Sequence, residues 1–190
     1  LGIYTYWLNT YYNINNTNKV LKSVGANYHP DNGTISYDSI SIPVKDSDRK
    51  RIASEASFIR ACHYFNLVRL FGGVFLIHQP VTLDESKLIN RSSVDDIYKL
   101  IQADLNNCIT YGNQSSFATI SSDDIGRANA WAAKAMLAKV YLTLNRKADA
   151  MLLLSDIMAN GGYRLQSDYS SVFSITNEMN SEILFSIRYK

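Results

Sequence analysis

Along most of this chain the apolar positions recur every three or four residues, the period of a helix that buries one face. Between residues 3 and 24, Tyr4, Trp7, Tyr11, Ile14, Leu21 and Val24 fall on one stripe that only Asn18 interrupts. A second run, over about 47–71, places Ile52, Ala56, Phe58, Ile59, Ala61, Phe65 and Val68 on a wide apolar face. A third keeps Val94, Ile97, Tyr98, Ile101, Leu105, Cys108 and Ile109 in helical register. It starts at Ser93, with Asp96 three positions on as in a capping box. Two more helices are predicted over about 127–144 and 147–159. The first, "AWAAKAMLAKVYLTL", is apolar nearly all round and should be deeply buried. The intervening "NRK" leaves room only for an antiparallel hairpin.

Between these runs the pattern breaks. Residues 25–45 are rich in Gly, Pro, Asn and Ser and read as a loop, with "DNG" at 31–33 as its turn. The stretch "RLFGGVFLIHQP", 69–80, begins as helix, stops at Gly72 and continues apolar into a proline. Glycine enters the left-handed cap of a helix without strain, so Gly72 marks the helix end and an extended segment follows. In "EILFSIRYK" at the C-terminal end, Ile183, Phe185, Ile187 and Tyr189 alternate with Glu182, Ser186 and Arg188. That is the period of a strand, with no partner strand predicted elsewhere.

The predicted fold is therefore all-α, with a minor strand near the C-terminus, in a single domain over 1–190. Its last hairpin fits a tetratricopeptide register: Leu137, Ala138, Tyr141, Ala150 and Leu154 take the repeat's positions, while Lys134 and Gly162 stand where its Trp and Pro would be. Helix two repeats the small-x-x-Tyr step as Ala61 and Tyr64. Helical periodicity begins within a few residues of Leu1 and the strand pattern runs to Lys190, so a fragment of a longer protein is expected.

Composition changes this picture little. With 46% hydrophobic and 19% charged residues in 190, the chain can bury a proper core. A net charge of +2 offers no footprint for nucleic acid or an acidic membrane surface. Cys62 and Cys108 lie in helical apolar patterns and read as buried thiols, a disulfide between two helices remaining the alternative. His29, His63 and His78 sit on different segments with no ligand-like spacing, so no metal is expected. No nucleophile elbow, phosphate loop or dinucleotide fingerprint is present, so neither cofactor nor catalytic residues are assigned. Asp95-Asp96 and Asp123-Asp124 stand at helix starts, where negative charge complements the dipole. One face remains as a candidate for binding. Opposite the apolar stripe of helix one, Tyr6, Asn9 and Asn13 combine a ring that stacks on sugar C–H groups with amides that bond hydroxyls. Simple solvation of the helix produces the same pattern. Tyr28, in the adjoining loop, is the outside candidate.

Several segments in series resemble the SusD/RagB family of outer-membrane nutrient-binding lipoproteins. "EASFIRACHYFNLVRLFGGVFLI" at 55–77 is similar to that family's signature helix and the corner after it. "RSSVDDIYKLIQADLNNCI" at 91–109, "GRANAWAAKAMLAKVYLTL" at 126–144, "GGYRLQSDYSSVF" and "EILFSIRY" follow in the family's order. Phe75 departs from a usual proline and Ser57 from a common basic residue. The resemblance implies tetratricopeptide-like hairpins with long loop insertions and a non-catalytic, cell-surface role. It further implies a lipid anchor not present in this chain, a SusC-type TonB-dependent transporter as partner, and an oligosaccharide or a peptide as ligand. The competing readings are a helical-repeat adaptor and a glycan-processing enzyme whose site lies outside these residues.

Overall fold

The computed structural model describes residues 2–187, and its long helices stand where the periodicity places them. The chain divides into two compact units, 1–111 and 112–190.

In the first unit, helix α2 (Asp46–Phe71) packs on both α1 (Ile3–Ser23) and α4 (Val94–Tyr111). A helix with neighbours on two sides must bury more than one stripe. Accordingly Ala53, Ser57, Phe58, Ala61, Tyr64, Phe65 and Leu67 are all buried. Small residues among them let the partner helices approach closely, while Ile14, Leu21, Ile97, Leu100, Ile101 and Leu105 fill the gaps from α1 and α4. Some stripe residues end up outside this layer. Tyr4 is 77% exposed, and Ile52, Ile59 and Val94 also reach solvent, because among the described residues of this unit no element covers their edge of the helix.

The stretch read as loop contains an antiparallel hairpin, β1 (Ala26–His29) paired with β2 (Thr34–Tyr37). Gly33 turns it at φ +68°, and the Asn32 side chain accepts the Thr34 N–H at 3.1 Å. Ala26 points into a cluster with Leu21, Val24, Ala53 and Ala56, against which Ile35 and Tyr37 pack. A single turn, α3 (Leu83–Ser86), is closed by a capping box between Thr82 and Glu85.

The corner after α2 has a clear construction. Gly72 adopts φ +69°, ψ −134°, a region that side chains avoid. A Cβ on Gly73 would lie 2.5 Å from the Ser92 carbonyl oxygen, so the second glycine permits the exit strand to run against residues 91–92. There the Ser92 N–H donates to the Val74 carbonyl at 2.8 Å. Gly73→Ala should force that backbone apart and cost roughly 1–3 kcal/mol. Urea melts of the two forms check this, and coincident midpoints would show that the corner yields freely.

The second unit is built on the hairpin of α5 (Ala130–Thr143) and α6 (Lys147–Asn160). Asn145 turns it in the left-handed region at φ 58°. Trp131, Leu137, Ala138 and Val140 are buried on α5 and Ala150 on α6, consistent with the repeat register. Lys134, in the place of the repeat's Trp, lies 4.0 Å over the Trp131 ring and pairs with Asp156 at 2.6 Å. Leu154 remains 41% exposed, and Met151, Leu152 and Met158 reach solvent further, while Ile157 on the same helix is buried. A 3-10 turn (Ser122–Asp124) precedes the hairpin and a short α7 (Tyr169–Val172) follows it. No strand forms over residues 182–187, where no second strand offers a ladder; the remainder of that alternating stretch, 188–190, lies outside the described residues.

Candidate functional site

Helix α1 has two kinds of asparagine. Those facing inward work as tethers. Asn18, 1% exposed, donates to the carbonyls of Ile77 at 2.9 Å and Gln79 at 3.2 Å, and Asn15 accepts the Val81 N–H at 3.3 Å. Those facing outward are Asn9 and Asn13, which with Tyr6 share one side of the helix at spacings of three and four residues. All three are exposed, Tyr6 at 38%, and among the described residues neither amide is engaged by a protein partner. The candidate residues are thus brought together as a ring beside two unspent amides on a rigid helix. Tyr28 is not part of this surface. Strand alternation turns it inward to 5% exposure, edge-on to His78 at 5.6 Å, and burial pushes its hydroxyl up to about 12.

Beneath α1 lies a buried polar centre that the sequence did not reveal. Arg60 on α2 and Asp104 on α4 form a bidentate pair, Nε to Oδ2 at 2.8 Å and Nη2 to Oδ1 at 2.7 Å, both side chains almost fully enclosed. The remaining Arg60 nitrogen donates to Asn18 Oδ1 at 2.7 Å and to the His78 carbonyl at 3.0 Å. Burial raises the Asp104 carboxyl, with the guanidinium opposing it. Nearby, the Tyr64 hydroxyl accepts the Ile77 N–H at 2.7 Å, and Tyr11 donates to the Phe75 carbonyl at 3.0 Å. Phe75, where proline is usual, sets its ring edge-on to Trp7 at 6.1 Å. The bonds from Arg60 to His78, from Tyr64 and Tyr11, and from Asn18 go to the extended segment 74–81, so backbone groups there have side-chain partners in place of a sheet. This centre positions a segment of chain; its groups are spent.

The remaining chemistry-bearing residues are dispersed. Asp96 accepts from Ser93 Oγ at 2.7 Å and Lys99 at 3.1 Å, which holds its carboxyl below the usual range. Asp124 accepts from Asn113 at 2.9 Å and from Ser121 at 3.0 Å. His29 meets Ser36 at 2.7 Å, and burial lowers both His63 and His78. Among the described residues no three His, Cys, Asp or Glu side chains gather at metal-binding distance. Cys62 and Cys108 remain thiols, and burial pushes Cys108 up to about 12, far from a reactive thiolate.

Known proteins supply a frame for this geometry. Residues 2–142 match a family model, SusD-like_3, described as "Starch-binding associating with outer membrane". The chain is similar to SusD-like protein P25 of Formosa agariphila, at 28% identity over 183 residues, covering 96% of this chain and 31% of that protein. It superposes on a solved structure described as a laminarin binding SusD-like protein with a TM-score of 0.79, at 28% identity, covering 95% of this chain and 36% of the other. A further structure, solved with xylogluco-oligosaccharide, gives a TM-score of 0.73 at 26% identity, covering 95% of this chain and 34% of the other. The chain therefore spans about a third of the length of these relatives.

Proposed function

This chain belongs to the SusD-like family, and from that premise we propose that it is the helical-repeat part of a longer, non-catalytic glycan-binding protein of the cell surface. In this reading a lipid anchor outside these residues holds the protein to the outer membrane. A SusC-type TonB-dependent transporter receives the oligosaccharide it captures. The observation that carries the reading is the pair of structural neighbours, one described as binding laminarin and one solved with xylogluco-oligosaccharide, that share this chain's fold at more than 25% identity. Outer-membrane association is part of the family's own description.

Within the chain, Tyr6, Asn9 and Asn13 supply a surface of the right chemistry. An aromatic face takes up the apolar side of a sugar ring, and amides offer both donors and acceptors to its hydroxyls. Shallow, pre-formed surfaces of this kind bind without ordering a loop, so little affinity is lost to entropy. The test is a glycan and peptide array on the protein as its own cell makes it, repeated with Tyr6→Ala. A bound glycan, with affinity lowered about fivefold or more in the variant at an unchanged melting temperature, supports both the function and the surface. Binding that the substitution leaves intact removes helix α1 from the site. Peptide binding without any glycan binding overturns the ligand class.

A further inference from the structure

The β1–β2 hairpin and the C-terminal half of α4 border an open hollow of about 330 Å³ to which α1 contributes no residue. That volume is at the low end for small-ligand sites, roughly 300–1,000 Å³, and suits one or two sugar rings. Its wall carries Thr34 from the hairpin and Asn106, Asn107, Thr110 and Tyr111 from α4, and no charged side chain lines it.

These groups fall into a fixed set and an unspent set. Asn107 is fixed: it accepts the Tyr37 hydroxyl at 2.9 Å and donates to Ser57 at 3.2 Å. Tyr37, held by that bond, meets the Tyr111 ring edge-on at 5.4 Å. Lys50 lies over the Tyr111 ring at 5.3 Å, its charge answered by Asp46 at 2.7 Å. Tyr111 is thereby held in place yet remains 38% exposed. Unspent are the exposed Asn106 amide and the Tyr111 hydroxyl, which have no protein partner among the described residues. Thr110 donates to the Asn106 carbonyl at 2.9 Å and Thr34 to Asn32 at 2.7 Å, so both hydroxyl oxygens remain available as acceptors. Asn106 and Thr110 are four residues apart and so share a helix face beside the ring.

A preset ring bordered by uncharged donors and acceptors is complementary to a molecule with one apolar face and several hydroxyls. It is poorly suited to an anion, since Arg49 and Lys50 beside the rings are both paired with Asp46, and Lys99 beside Gly33 is paired with Asp96. We propose that this hollow is a subsite for an uncharged sugar ring, with Tyr111 stacking on its C–H face and Asn106, Thr110 and Thr34 bonding its hydroxyls. The proposal rests on the glycan-binding reading above and locates a contact that the α1 surface does not include.

The experiment uses the whole protein from its own cell and a panel of neutral and acidic oligosaccharides, including laminarin- and xyloglucan-derived ones, followed by calorimetry on the best binder. The best binder should be neutral, Tyr111→Ala should weaken it about tenfold, and Asn106→Ala, at an exposed position, several-fold. Tyr111→Phe keeps the ring and should stay within about threefold of the parent. Should Tyr111→Ala prove unstable, Asn106→Ala and Tyr111→Phe decide the matter. Parent-like affinity in both Asn106→Ala and Tyr111→Ala, with binding otherwise intact, overturns the subsite and leaves the glycan-binding function standing. Preference for an acidic oligosaccharide overturns the neutral-sugar assignment. A parent protein that binds no glycan on the panel overturns the function and the subsite together.

Discussion

Arg60→Met should lower the stability of the first unit by about 3–5 kcal/mol, the largest effect expected of any single substitution in this chain. The substitution leaves Asp104 fully enclosed with its bidentate partner gone, and only a few hydrogen bonds remain to offset its desolvation. It also removes the donor to the His78 carbonyl and to Asn18, so the extended segment 74–81 loses a tether at its middle. Chemical denaturation followed by tryptophan fluorescence measures it, since Trp7 reports on the first unit through its contacts with Phe71 and Phe75. The double variant Arg60→Met, Asp104→Leu should recover much of the loss, because two apolar groups replace two buried charges. A single variant within about 1 kcal/mol of the parent would mean that the pair is not enclosed as described.

Ala138→Leu should cost about 1–3 kcal/mol in the second unit. Ala138 is 1% exposed on a helix that packs against α6, where Ala150 is buried to the same degree. Small residues on both arms set a short distance between the helices, and a leucine there must push them apart or leave its rotamer. Thermal denaturation by circular dichroism reads the change. An unshifted transition would show a loose interface and remove the physical basis of the tetratricopeptide register, whereas Ala138→Gly should lose stability through helix propensity alone, about 1 kcal/mol.

What the sequence by itself determined are the features whose causes are local. The five long helices follow from apolar spacing, the corner at 72–73 from the only residue type that tolerates its backbone, and the outward face of Tyr6, Asn9 and Asn13 from its position opposite the stripe. Even the "DNG" turn was legible, though the four-residue strands beside it were too short to stand out from loop. Tertiary structure alone decided the features that join distant residues. An arginine in an apolar helix looks like a surface residue until a carboxylate 44 positions away proves to be its partner. Tyr28 looks available until its strand turns it under the surface, and Tyr4 looks buried until the described residues of its unit leave it 77% exposed. The hollow at Tyr111 needs Thr34, 77 positions earlier, as its opposite wall. The physical reason is common to all of them. Helix formation is governed by neighbours within four residues, whereas burial, charge pairing and cavities depend on which surfaces meet after the chain has packed.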